Sequence, residues 1–280
     1  MFNTNTRSNI HKAVTLLFLI ALSGTGFAQE DCLPFFDDKN DTVSVKVGGN
    51  VDITPSPPAI DDFGNDINKV CGASGKKTSE AEFIKLMKDN KDILDELIKF
   101  TDGKVFYSEP KTTDRDKYLE SLSKAWYSIH AFDHIFCGET ETDNKKIGGL
   151  HYYGRYKQLQ DSGEACRIPN YNKNEVISGS VYSMGVRMKK DSQTWISHEI
   201  KGYGLTLSAL DILKAATRAF AENPTSSADS QACLLDVKDG DVKYTTVFVR
   251  RNGGIRTFYP DATPDNTTKC KSTVNLNVSH

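Results

Sequence analysis

The sequence predicts an α+β fold in which N-terminal helices are followed by a strand-rich half with two antiparallel sheets. Three observations carry that prediction. Apolar residues recur at helical spacing behind capping signals between Ser79 and Ile129. After Asp133 the pattern changes to short β-rich runs. The chain has 280 residues, 38% hydrophobic and 10% aromatic, enough to bury a core, which argues against disorder, a coiled coil or a disulfide-only miniprotein.

Residues 1–28 read as a secretory signal peptide. A cationic flank (Arg7, His11, Lys12) precedes an apolar run from Ala13 to Leu22, and small residues lead to Ala28. The run is too short to span a bilayer, so export is expected, to the periplasm or the medium, with no membrane anchor. Residues 29–77 are rich in Asp, Asn, Gly and Pro and read as an irregular segment with one strand-like stretch, Val43 to Val47. Residues 78–280 are expected to form the main domain.

Within that domain Ser79-x-x-Glu82 is a capping box, and Phe83, Leu86, Met87, Leu94, Leu97 and Ile98 predict one helix over about 80–100. Thr113-x-x-Asp116 opens a second, with Tyr118, Leu119, Leu122, Trp126 and Ile129 on its apolar side. Strands are expected around 133–137, 149–156 and 180–188. Ser208-x-x-Asp211 caps a helix reaching about Glu222, and strands 242–249 and 254–259 close the chain around an Asn252-Gly253 turn.

All six cysteines follow the cleavage point, and an even count in an exported chain favours disulfides over free buried thiols. Zinc has less support, because no Cys-x-x-Cys or His-x-x-x-His spacing occurs. Neighbours in sequence are the expected partners: Cys32 with Cys71, Cys137 with Cys166, and Cys233 with Cys270.

Two of the six histidines sit in matching surroundings, Asp133-His134-Ile-Phe-Cys-Gly-Glu139 and Gly148-Gly149-Leu-His151-Tyr-Tyr153, separated by a polar loop. If the flanking runs pair as a hairpin, the imidazoles approach each other. Gly138 and the Gly148-Gly149 pair leave room beside them for a ligand or a tight turn. Two histidines in one cleft can divide acid and base work near neutral pH, which suits RNA cleavage through the 2′-hydroxyl. The plainer alternative is a pair of ordinary histidines at strand ends. In Arg256-Thr257-Phe258-Tyr259-Pro260 a hydroxyl and a phenol lie two apart, hence on one face of a strand. Such a pair can grip a single-stranded base, although sheet packing alone also accounts for it.

Taken together, the two histidine motifs and Thr257-Phe-Tyr259-Pro260 resemble those of the EndoU-type, poly-U-specific endoribonucleases, over roughly residues 80–262. The resemblance implies cleavage of single-stranded RNA at uridines, leaving 2′,3′-cyclic phosphate and 5′-hydroxyl ends, with no required cofactor or with manganese stimulation. It implies that His134 and His151 are the acid/base pair, with His151 the base, that Thr257 meets the uracil edge, and that Tyr259 stacks on the base and orients the ribose. It also implies a lysine that stabilises charge on the phosphorane. Lys201 is the first choice, with Lys190 and Lys157 as fallbacks. Gly149 is the expected close-approach position beside the substrate. Single-stranded RNA is the expected partner and DNA is not. A monomer is expected, with an immunity or inhibitor protein as a further partner class. The alternatives are a catalytically inactive exported RNA- or partner-binding module on the same scaffold, and a toxin or effector nuclease delivered to competing cells.

The net charge of -2, which becomes -4 once Arg7 and Lys12 leave with the signal segment, excludes a protein that coats RNA non-specifically. It leaves room for a local basic cleft. Arg250, Arg251 and Arg256 cluster beside Thr257 and Tyr259, whereas much of the acidity lies between Asp37 and Asp66.

Overall fold

A computed structural model describes residues 32–141, 146–169, 171–225, 230–265, 268–271 and 273–276. The expected signal segment lies outside the described residues. A hairpin of β1 (Thr42–Val45) and β2 (Gly49–Asp52) precedes four helices, α1 (Asp62–Cys71), α2 (Glu80–Asp89), α3 (Lys91–Phe100) and α4 (Arg115–Tyr127). A π-helical turn (Asp133–Cys137) and α5 (Tyr153–Asp161) follow. Then come β3 (Ala165–Arg167), β4 (Glu175–Ile177), β5 (Val181–Lys189), β6 (Trp195–Gly204) and α6 (Ala209–Glu222). The chain ends in β7 (Gln231–Asp239), β8 (Val242–Arg251), β9 (Gly254–Pro260) and β10 (Val274–Leu276).

The α+β class holds, with two four-stranded sheets beyond the hairpin. One is antiparallel throughout, with β5 pairing β3, β4 and β6, and the other has the order β10-β7-β8-β9. The second sheet is not purely antiparallel as expected, because the short β10 joins its edge parallel to β7.

Local chemistry explains most element boundaries. Ser79 and Ser208 each close a reciprocal capping box, with Glu82 and Asp211 respectively. The single helix expected over 80–100 is two. Asn90 leaves helical geometry at φ -108°, ψ 65°, and its side chain bonds the Leu86 carbonyl and Asp66 instead of continuing the helix. Thr113 is not the cap of α4: the Asp114 carboxylate accepts from the Asp116 and Lys117 amides. Asn252 and Gly253 turn β8 into β9 with φ of 48° and 76°, the paired positive values of a tight hairpin.

The largest departures lie at 133–137 and 149–156, where strands were expected. The first run is the π-helical turn; the second is a loop entering α5. Phe132, Ile135 and Phe136 are buried, Phe132 against Phe83 and Phe136 against Trp126 and Tyr152, so the run is apolar for helical packing and not for sheet pairing. Short apolar runs of this kind carry no period that separates the two.

The N-terminal segment is also more ordered than its composition suggests, since it supplies the hairpin and α1. The disulfides differ from the expected neighbour pairing at two of three places. Cys32 bonds Cys166 and Cys71 bonds Cys137, while Cys233–Cys270 is as expected. The Cys71–Cys137 bond ties the end of α1 to the end of the π-helical turn. Buried Arg155 reinforces it, donating to the carbonyls of Cys137 at 3.1 Å and Gly72 at 2.7 Å. Among the described residues no helix is long and apolar enough to cross a membrane.

Candidate active site

A cleft of about 690 Å³ opens where the π-helical turn, the loop before α5, β6 and β9 meet. Each of these elements brings at least one charged or titratable side chain to it.

His134 rides on the π-helical turn, which Gly138 ends at φ 78°. At its other end the buried Asp133 carboxylate accepts from the Thr78 amide at 3.0 Å and hydroxyl at 2.7 Å. His151 is placed against His134 through the backbone. The Leu150 amide donates to the His134 carbonyl and the His151 amide to the Ile135 carbonyl, both at 2.8 Å. Gly149 (φ 59°) and Leu150 (φ 72°) make this approach, and a Cβ at position 149 would run into the His134 carbonyl. Leucine in the left-handed region is strained, and such strain is held where the surroundings over-determine the backbone. The ring centroids of His134 and His151 lie 5.9 Å apart.

Lys201 reaches the cleft through a β-bulge. Lys201 pairs with Met184 and His198 with Val186, so Glu199 and Ile200 stand opposite Gly185 alone. Residues three apart in a regular strand face opposite ways; the extra residue puts His198 and Lys201 on one face. A second bulge serves β9, where Thr257 pairs with Val249 and Ile255 with Arg250, leaving Arg256 as the inserted residue. Arg256 lines the cleft and donates to Glu139 Oε2 at 3.3 Å.

The two histidines are held in different hydrogen-bond states. His134 Nδ1 lies 2.6 Å from Glu139 Oε2. His151 Nδ1 lies 3.2 Å from the carbonyl oxygen of Gly202, an atom that only accepts, so Nδ1 carries the proton and Nε2 the lone pair. Burial lowers the His134 pKa, and Arg256 and Lys201 add to this while Glu139 opposes it. Burial, then His134 and Lys201, hold His151 well below the usual histidine range. Burial alone would raise the Glu139 carboxyl, yet His134 and Arg256 keep it below its ordinary value. Burial brings Lys201 down to about 8.

Tyr259 stacks on His151 with centroids 5.0 Å apart and rings 25° from parallel. One ring face is therefore occupied by the histidine, and burial raises the phenol's pKa. Thr257 shares the Tyr259 face of β9, as the alternation predicts, yet its hydroxyl is buried without a hydrogen-bond partner among the described residues and lies outside the cleft lining. The structure thus brings His134, Gly149, His151, Lys201 and Tyr259 together and leaves Thr257 behind them. The fallback lysines are elsewhere: Lys157 pairs with Asp161 on α5, and neither it nor Lys190 lines the cleft. Of the arginine cluster only Arg256 arrives, because Arg250 is buried over the Phe220 ring and bonded to the Asn223 carbonyl.

Sequence reasoning did not assign roles to Glu139 and His198. Glu139 ends the first histidine motif, and its spacing of five from His134 fits a π-helical turn, not the strand expected there. No group of three or more His, Cys, Asp or Glu side chains among the described residues is arranged to hold a metal ion. The Glu139 carboxylate is bonded to His134 and Arg256, and that of Asp133 to Thr78.

No curated protein matches the chain at a significant level. Solved structures that it resembles include XendoU, described as a splicing-independent snoRNA-processing endoribonuclease, at 14% identity over 85% of this chain and 93% of that one, with a TM-score of 0.48. They also include the endoribonuclease Nsp15 of Middle East Respiratory Syndrome coronavirus, at 16% identity over 54% of this chain and 38% of that one, with a TM-score of 0.34. The family model of the bacterial EndoU nuclease matches residues 128–262, the stretch that carries His134, Glu139, His151, Lys201, Arg256 and Tyr259. Over residues 128–262, just under half of its length, the chain is similar to the bacterial EndoU nuclease family.

Proposed function

We propose that this domain cleaves single-stranded RNA at uridines by attack of the ribose 2′-oxygen on the adjacent phosphorus. The observation that carries the reading is the pair of complementary hydrogen-bond states at 5.9 Å, one imidazole facing a carboxylate and the other facing a carbonyl. His151 is kept neutral with its lone pair on Nε2, so it takes the 2′-OH proton. The 2′-oxygen bonds to phosphorus and the bond from phosphorus to the 5′-oxygen breaks. His134, whose imidazolium is stabilised by Glu139, gives its Nε2 proton to the departing oxygen. The products are a 2′,3′-cyclic phosphate and a 5′-hydroxyl, and water returns the two histidines to their starting states. Each proton transfer is worth about 10²- to 10⁴-fold. Lys201 and Arg256 supply fixed positive charge for the phosphorane oxygens. Tyr259 holds the His151 ring on one face and offers the other to the nucleotide.

Export fits three disulfides, which persist in oxidising compartments. The reading is tested by incubating the mature chain with a uridine-containing oligonucleotide, with and without chelator. Cleavage that survives the chelator and disappears in His134→Ala and His151→Ala supports it; equal cleavage by the parent and both variants refutes it.

A further inference from the structure

A third histidine lines the cleft and has no part in the chemistry above. His198 sits on β6, on the same face as Lys201. Its partner Val186 is two residues from Met184, the partner of Lys201, so the two side chains start about 7 Å apart along the strand. His198 Nδ1 lies 3.0 Å from the carbonyl oxygen of Ile147. A carbonyl only accepts, so the Nδ1–H bond is spent there and Nε2 is left as a lone-pair acceptor on the opposite side of the ring. Burial, then Lys201, lowers the His198 pKa to about 4, which keeps the ring neutral and Nε2 an acceptor through the physiological range. Beside it stands Ile200, one of three large apolar side chains exposed among the described residues, at 38%. Ile200 also lines the cleft. A flat apolar contact and one fixed acceptor are what a nucleobase requires of a pocket that reads its Watson–Crick edge.

We propose that His198 is a specificity-determining residue, whose Nε2 accepts the N3–H of uracil while Ile200 supports the face of the base. The proposal rests on the ribonuclease reading and names the atom that selects the base. Uracil carries a hydrogen on N3. Cytosine carries a lone pair there and would face Nε2 acceptor to acceptor, leaving both unpaired, which is how a polar site rejects a near-isostere. A serine or amide at this position could rotate to suit either base. His198 cannot, because Ile147 fixes its tautomer.

The experiment compares three oligonucleotides that differ only at the cleaved nucleotide: uridine, cytidine and 3-methyluridine, whose N3 has lost its hydrogen. The parent is expected to cleave the uridine substrate about 10- to 100-fold faster than either of the others. In His198→Ala the three rates converge, through loss on uridine and not on cytidine. The 3-methyluridine arm needs no variant and so stands even if His198→Ala folds poorly. Parent rates equal on uridine and 3-methyluridine, or an undiminished uridine preference in folded His198→Ala, overturn the role of His198 while leaving the nuclease intact. Absence of cleavage on all three removes the ribonuclease reading, and this proposal with it.

Discussion

Nδ1 of His134 lies 2.6 Å from Oε2 of Glu139, so the histidine proposed to deliver a proton is the one held against a carboxylate. Burial lowers the His134 pKa and Glu139 pushes back, so the protonated fraction at neutral pH depends on the carboxylate. Glu139→Gln removes the opposing charge. The His134 pKa then falls further, and the alkaline limb of the pH–rate profile moves to lower pH. Activity at pH 7 should drop about tenfold, the effect of one pKa unit on the protonated fraction, and recover partly in more acidic buffer. A uniform loss at every pH would show that Glu139 is structural only.

Lys201 has its pKa brought down to about 8 by burial, so it is a cation at pH 7 and loses its charge as pH rises through that value. A further decline in rate is expected around pH 8. Lys201→Met should lower kcat by about 10²- to 10³-fold, with a smaller change in KM, because the charge is needed most when negative charge develops on the phosphorane. Lys201→Arg should recover part of the rate and move the decline to higher pH, which steady-state kinetics across pH will check.

Gly149 is needed for its lack of a side chain. With φ at 59° and the His134 carbonyl against it, Gly149→Ala must displace the loop that carries His151. Loss of more than about 2 kcal/mol in urea-induced unfolding is expected, together with near-complete loss of activity. The same substitution at Gly163, where φ is 67° and nothing stands within 4 Å, meets backbone strain alone and should leave activity intact.

The Cys71–Cys137 bond anchors the turn that carries His134 and closes a separation of 66 residues. Replacing both cysteines with serine should cost about 2–5 kcal/mol of stability and lower activity below the unfolding transition. Breaking Cys233–Cys270, far along the chain from the histidine motifs, should cost stability with a smaller effect on rate. Denaturation curves paired with rate measurements separate the two.

Legibility followed the strength of local signals. Ser79 with Glu82 and Ser208 with Asp211 are complete capping boxes, and both helices start where those pairs place them. The strand pair around Asn252-Gly253 was equally legible, because few turns accept two consecutive residues at positive φ. The histidine motifs stand out as motifs, yet the structure around them does not: Phe132 and Phe136 pack on Phe83, Trp126 and Tyr152, contacts that no short-range period encodes. The bulges that aim Lys201 and Arg256 leave no composition signal, since they exist only in the register between two strands. The cysteine pairing failed for a similar reason. Cys32 and Cys166 meet only after β3 and the N-terminal segment come together, the Leu33 and Arg167 backbones bonding at 2.8 and 2.7 Å.

The central claim is that two histidines in different protonation states drive attack by the substrate's own 2′-oxygen. The most direct measurement is the mass spectrum of products from an otherwise deoxyribose oligonucleotide carrying a single ribouridine. The account predicts one cut, on the 3′ side of that residue, giving a 2′,3′-cyclic phosphate and a 5′-hydroxyl, and no cut when that 2′-hydroxyl is methylated. Cleavage of the methylated substrate, or a product with a 5′-phosphate, would contradict it.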